Sequence, residues 1–319
     1  MFTAFFTVCN RHQLPGAIAL GKSILEHHQG APFFIGWVDD ADLPPLPANI
    51  EIIPASDLKL LQLPKMSGLY YDFELVHALR PWFAHHLLES RSDISTWVFL
   101  APTTMVYRSF DHLFDSGHDL LLTPHIVERL PKSRHLDDKR ILNIGMFHSN
   151  AWIARNTESV QNLMKWWRER TADRAFFDLC NGMCLDQLWL NYAPIHVVHS
   201  QVIRDPLWHI GLHNCLLRPV KLEDALPVIN GERVYTIDFA GLYGYHPVWS
   251  DHTALVAGHR EWAAFTASYR KSLQSLNAFR LPGNAAYGRP APVSSARNFR
   301  RSVKSKLDNL TNVIDQFEI

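Results

Sequence analysis

Disulfide chemistry, a surface of one charge and a membrane-spanning stretch are all missing from this sequence. Cysteine is scarce, with four in 319 residues. Of Cys9, Cys180, Cys184 and Cys215 only Cys180 and Cys184 are close, at a spacing that one helical turn explains. No disulfide framework is expected, and a reduced, cytoplasmic setting is. Basic and acidic residues balance at 31 each, so a surface that holds nucleic acid by neutralising phosphates is not expected. No segment approaches the ~18 uninterrupted apolar residues of a membrane span. The opening stretch MFTAFFTVCNRHQLPG has no basic lead, and its apolar run ends within about eight residues, too short for a signal peptide. No internal repeat is visible.

What is present is a hydrophobic share of 47 %, enough for a substantial core in one large domain, and an unusual 18 histidines. The pairs His196-x-x-His199 and His209-x-x-x-His213 would each put two imidazoles on one helical face. Neither has a Glu or Cys at a standard ligand spacing, so ordinary polar or core histidines are the better reading.

The first hundred residues alternate two periodicities. FTAFFTV (2–8), PFFIGWVDD (32–40), IEIIPASDL (50–58) and TWVFLAPTT (96–104) read as strands. GAIALGKSILEHH (16–28) and YDFELVHALRPWFAHHLLE (71–89) read as helices, the second interrupted at Pro81. Near-continuous apolar strands alternating with helices predict an α/β fold, a mostly parallel sheet covered on both faces. Ligands of such sheets sit beyond the carboxyl ends of the strands, which makes Thr7 to Asn10, Asp39, Asp40 and Ala101 to Thr104 candidates for one cleft. Further on, DLLLTPHI (119–126) predicts a strand, 128–140 a mobile surface loop, ILNIGMFHS and AWIARN strands flanking a turn, and 157–172 a helix capped by Thr157. The expected organisation is a domain over 1–280, a Pro/Gly/Ala/Ser-rich linker over 281–298, and an amphipathic helix over 299–319 with Phe299, Val303, Leu307, Leu310, Ile314 and Phe317 on one face.

Taken in order, several stretches resemble bacterial nucleotide-sugar glycosyltransferases of the GT-A fold, similar to glycosyltransferase family 8 and related polysaccharide-assembly enzymes. TVCNRHQLPGAIALGKSILEHH resembles the nucleotide-binding strand, loop and helix, WVDD the second strand, and ELVHALRPWF a helix that usually reads Glu-Leu-x-x-Ala-Leu-Lys-Pro. LLLTPHI, LNIGMF, the pair Asp186-Gln187 in GMCLDQLWLNYAP, and VIRDPLWHIGLHNCLLR follow in the family's order, so the likeness covers roughly residues 2–260. One departure stands out. The strand matching VFLAPTT normally ends Leu-Asp-x-Asp, whose carboxylates hold Mg²⁺ or Mn²⁺ against the donor diphosphate; here Ala101 and Thr103 stand in those places, and Asp238 in DFAG stands where a metal-binding His is usual.

The resemblance implies sugar transfer from a nucleotide-diphosphate donor to a surface polysaccharide or lipid-linked glycan, with no metal and no other cofactor. Diphosphate charge would then fall to basic groups: Arg11, Arg80 and Arg204, with His125, His209 and His213 lining the cleft. Asp186 and Gln187 would lie by the donor sugar, the carboxylate stabilising an oxocarbenium-like charge; the alternative for Asp186 is a helix N-cap. Asn143 and Gly145 would line the donor pocket, or Gly145 would only mark a bend. Thr7, Asn10, Asp39 and Asp40 would hold the nucleotide, or Asp39 and Asp40 would simply end a strand. The alternative function is a binding or scaffold protein of this fold that has lost its metal site. For the C-terminal helix two roles compete, peripheral contact with an anionic inner membrane face and self-association.

Overall fold

The computed structural model describes residues 2–133, 135–291, 303 and 307. The four apolar runs of the first hundred residues form strands β1 (Thr3–Cys9), β2 (Phe33–Trp37), β3 (Ile50–Pro54) and β4 (Thr96–Leu100). With β5 (Thr104–Val106), β6 (Leu120–Pro124) and β7 (Phe147–Arg155) they account for the strands that frame the site. Seven strands make the central sheet, in the order Ser200–Val202, β6, β7, β4, β1, β2, β3. All neighbours run parallel except at β7, which is antiparallel to both β4 and β6.

The unbroken apolar runs follow from burial on two faces. Side chains alternate across a strand. Phe5, Phe33, Ile35, Val98 and Leu100 enter one core with helix α1 (Leu14–His27) and the helix Arg260–Gln274. Phe6, Phe34, Trp97 and Phe99 enter the other, with α2 (Leu63–Leu69) and α3 (Asp72–Ser90). A sheet with both faces covered has no solvent-facing positions for polar residues.

Several expectations change. Helix α3 runs through Pro81 instead of being interrupted there; the ring costs one hydrogen bond to the His77 carbonyl, and burial of Leu75, Leu79, Phe83 and Leu87 along the helix outweighs it. The stretch read as two strands and a turn is helix α4 (Asp138–Ile144) followed by the single strand β7. Asp137 caps α4 by accepting from the Arg140 N–H at 2.8 Å, so the charged stretch read as a mobile loop ends in a helix N-terminus. Helix α5 (Glu158–Thr171) follows Thr157, whose side chain makes no cap hydrogen bond.

The stretch 281–289, expected as linker, returns to the domain. Arg289 accepts from the Asp72 N–H at 2.9 Å and donates to the Tyr70 carbonyl at 2.8 Å, and the compact unit extends to Arg289. Pro290–Ile319 is a separate unit, in which Val303 and Leu307 are helical. The remainder of the expected helix over 299–319 lies outside the described residues. Among the described residues no helix is long and apolar enough to cross a membrane.

Candidate active site

Because β7 runs against its neighbours, its beginning lies at the carboxyl ends of the parallel strands. Leu100 at the end of β4 is opposite Ala151, and the Ala101 N–H donates to the Asn150 carbonyl at 2.8 Å. His148, Ser149 and Asn150 are thereby delivered beside the turn Ala101–Thr104. Helix α1 approaches that turn closely: a Cβ at Gly16 would strike the Pro102 carbonyl oxygen. From the turn, β5 pairs with the strand Thr236–Asp238, Thr104 opposite Asp238.

Two linked polar groups occupy this place. The Arg80 Nη1 donates to Ser149 Oγ at 3.2 Å, Asn150 Oδ1 at 3.1 Å and Asp186 Oδ2 at 3.4 Å. Ser149 Oγ donates in turn to Asp186 Oδ1 at 3.1 Å. Asp238 is the second acceptor, taking hydrogen bonds from Thr103 Oγ1 at 2.6 Å, Asn150 Nδ2 at 2.8 Å and the Ala240 N–H at 2.9 Å, with His148 Nε2 at 3.1 Å. Asn150 joins the two groups. Arg80, Asp186 and Asp238 are each at most 2 % exposed.

That burial governs the electrostatics. It pushes the Asp186 carboxyl above its usual range, against the opposing pull of Arg80 and Ser149. It also lowers the Arg80 guanidinium from its usual value despite the two carboxylates nearby. Asp238 goes the other way: burial works to raise it, but hydrogen bonds from His148 and Thr103 and the adjacent imidazoles hold it well below the carboxylate range. Burial depresses His209 and His246 to about 3, and His77, His125 and His213 well below the imidazole range.

The candidate residues do not all meet here. Asp186, Arg80 and Thr103 do, and Asp186 makes no side-chain cap hydrogen bond, which removes the capping alternative. Gln187 braces the site: its Nε2 donates to the Ile144 carbonyl at 2.8 Å and its Oε1 accepts from the Ser149 N–H at 3.3 Å. His125 is buried with Nδ1 on the Gly145 carbonyl at 2.8 Å and its ring 5.2 Å from that of His148. Gly145, at φ 104, ends α4 in a conformation that favours glycine. Asn143, expected in the donor pocket, is instead exposed on α4, because the stretch coils where an extended strand was anticipated. Arg204 is exposed beyond the strand Ser200–Val202, lining a surface cleft with Leu113 and Ser116.

At the ends of β1 and β2 a third polar group forms. Asp39 accepts from Arg11 Nε at 2.9 Å and from the Asp40 and Ala41 N–H groups at 2.9 and 3.2 Å, while Arg11 also donates to the Pro282 carbonyl at 3.0 Å. Burial works to raise the Asp39 carboxyl, and these donors, Arg11 first, bring it below its usual range. Asn10 Oδ1 accepts from the His12 N–H at 3.1 Å and so shapes the entry to α1. Thr7 is fully buried with no hydrogen-bond partner for its hydroxyl, and Asp40 is exposed.

Sequence reasoning missed His148, Ser149 and Asn150. The signal was the register of one strand: reading β7 from residue 147 puts these three at its beginning. The acidic pair that a hard divalent ion would need is absent at 101 and 103, and the turn Ala101–Thr104 offers no carboxylate of its own.

No family profile matches the chain. Among curated proteins it is 23 % identical over 256 residues to the uncharacterized protein YfnF of Bacillus subtilis (strain 168), covering 75 % of this chain and 84 % of that one. Among solved structures it is similar to the galactosyltransferase LgtC in complex with donor and acceptor sugar analogs, with a TM-score of 0.50 and 13 % identity over 85 % of this chain and 95 % of that one. An active-site glutamine-to-glutamate mutant of LgtC matches with the same TM-score and coverage, at 11 % identity. With its seven-stranded, mostly parallel sheet flanked by helices, the chain has the fold of GT-A-type glycosyltransferases.

Proposed function

We propose that the chain transfers a sugar from a nucleotide-diphosphate donor to a glycan acceptor, a surface polysaccharide or a lipid-linked chain, without a divalent ion arriving with the donor. The observation that carries this reading is the buried Arg80–Asp186 pair at the carboxyl ends of the strands, where open α/β sheets bind ligands. Arg80 would meet the charge that develops on the leaving diphosphate, and Asp186 the positive charge that develops on the sugar ring. Ser149 and Asn150 orient both groups. The Arg11–Asp39 pair lies at the adjoining strand ends, where the nucleoside would sit. Both site groups are buried, so donor entry requires the covering chain to part.

A second reading has its own support. Arg80 is bonded to Asp186, Arg11 to Asp39 and Thr103 to Asp238, an arrangement that also suits a fold that binds without turning over. One experiment separates the two. A panel of nucleotide sugars is screened by thermal shift, where a ligand at 100 times its Kd adds about 2.7 kcal/mol, and any stabilising donor is then assayed for nucleotide release with and without EDTA. Release unaffected by EDTA is expected. Stabilisation without release favours the binding protein, and stabilisation by no nucleotide sugar overturns both.

A further inference from the structure

We infer that His148, His209 and Asp238 form a resident centre for a divalent transition metal of the zinc class, beside the turn Ala101–Thr104, whose Thr103 hydroxyl donates to Asp238, and independent of whether the chain transfers sugar. One ligand atom from each of the three lies within 4.8 Å of the others, and all three side chains are at most 2 % exposed. Asp238 Oδ2 is 3.1 Å from His148 Nε2 and 3.8 Å from His209 Nε2. Metal–nitrogen and metal–oxygen bonds of about 2.0–2.2 Å in a tetrahedron put neighbouring ligand atoms roughly 3.3–3.5 Å apart. These two distances bracket that range, and the ligand nitrogens of His148 and His209 lie within 4.8 Å of each other.

Of the two imidazoles, His209 has the outer hydrogen bond that metal-ligating histidines carry, whereas the Nδ1 of His148 is buried with no hydrogen-bond partner. His209 Nδ1 is 3.0 Å from Thr236 Oγ1, which aims Nε2 inward, and that Nε2 is buried with no hydrogen-bond partner. Asp238 Oδ1 is taken by Thr103 and the Ala240 N–H, and Oδ2, which also accepts from Asn150 Nδ2 at 2.8 Å, faces the imidazoles. His209 is held between hydrogen bonds of its own neighbour, with the Ile210 N–H on the Thr236 carbonyl and the Asp238 N–H on the Ile210 carbonyl. It adopts φ +39, a conformation that non-glycine residues avoid and that clusters at functional sites. Two imidazoles and one carboxylate favour zinc, iron, cobalt or nickel over magnesium or calcium, which prefer oxygen. Three protein ligands leave a position open.

The test uses the full chain without an affinity tag, exposed to Zn²⁺, desalted and analysed for metal, with Co²⁺ loading read by its visible absorption. About one ion per chain and a higher melting temperature are expected. Asp238→Asn or His209→Ala should reduce retention to below about a fifth of an equivalent, while replacing the exposed His196 and His199 leaves it whole. Should either variant fail to fold, the unaltered chain decides the matter. Less than about a tenth of an equivalent retained, with no visible band from Co²⁺, overturns the inference. None of these readouts needs a sugar donor, so a negative result here leaves the proposed activity standing, and absent activity leaves the centre standing.

Discussion

Two corners of one sheet edge carry charge in contrasting ways. At the ends of β1 and β2, Arg11 is 14 % exposed at its side chain and donates to both oxygens of a fully buried Asp39, one of which also takes the Asp40 and Ala41 N–H groups. A ligand can compete for that guanidinium at modest cost. At the junction of β4 and β7, Arg80, Asp186 and Asp238 are shut away from water, and every charge there must be answered by the protein itself or by what it binds. The first corner is built to exchange partners; the second is built to keep them.

The sharpest way to break this contrast is to remove one buried charge. Arg80→Ala should cost about 3–5 kcal/mol in urea unfolding, because it strands the Asp186 carboxylate; a loss under about 1 kcal/mol would mean that water already reaches the pair. Next, Asp186→Asn keeps the shape and removes the charge. It should lower turnover at least roughly tenfold, or about 1.4 kcal/mol in the transition state, and lower the urea midpoint as well, because the buried Arg80 guanidinium loses its bonded carboxylate. Unaltered turnover would return Asp186 to a purely architectural part. Arg11→Ala is the matching change at the open corner. A stability loss of about 1–2 kcal/mol is expected, with weaker nucleotide binding, since Asp39 retains its backbone donors.

Acid sharpens the comparison further. His77 and His246 have folded values below the unfolded 6.5, His246 at about 3. The unfolded chain therefore takes up protons first, and stability should fall as pH drops through 6.5 towards 3. Asp39, depressed below its ordinary 3.8, adds a second loss only below that value. Urea midpoints at about pH 7.5, 6 and 5 test this, and a flat profile would show that the histidines titrate freely. The smallest effect belongs to the tail. Ending the chain after Arg289 preserves the contacts to Tyr70 and Asp72, so the shorter chain should fold equally well and lose only a salt-sensitive attraction to anionic vesicles. Equal vesicle binding by both chains would remove the tail as an anchor.

The parallel half of the sheet was legible because its strands are short apolar runs with both faces covered, and because Pro, Gly and Asp mark their ends. Helix α4 was not. Ile141 and Ile144 are β-branched residues three apart, a spacing that a short strand with one irregularity imitates, and seven residues are too few for periodicity to decide. The error in α4 carried Asn143 into the pocket on paper and hid Asn150, which stands there. Arg80, Asp186 and Gln187 came from the family resemblance, each lying in a stretch that follows the family's order. The trio of His148, His209 and Asp238 was not legible, since its members are far apart in sequence and lie in no common motif. Only the pairing of β5 with Thr236–Asp238 and the reversed course of β7 bring them together.

The hydrogen bond from Thr103 to Asp238 also limits what position 103 can hold. A change of Thr103 to aspartate would set two carboxylates at hydrogen-bond range beside a buried Asp238, where both cannot readily stay ionised. The threonine hydroxyl, a donor without charge, is thus part of what lets Asp238 keep its own charge there.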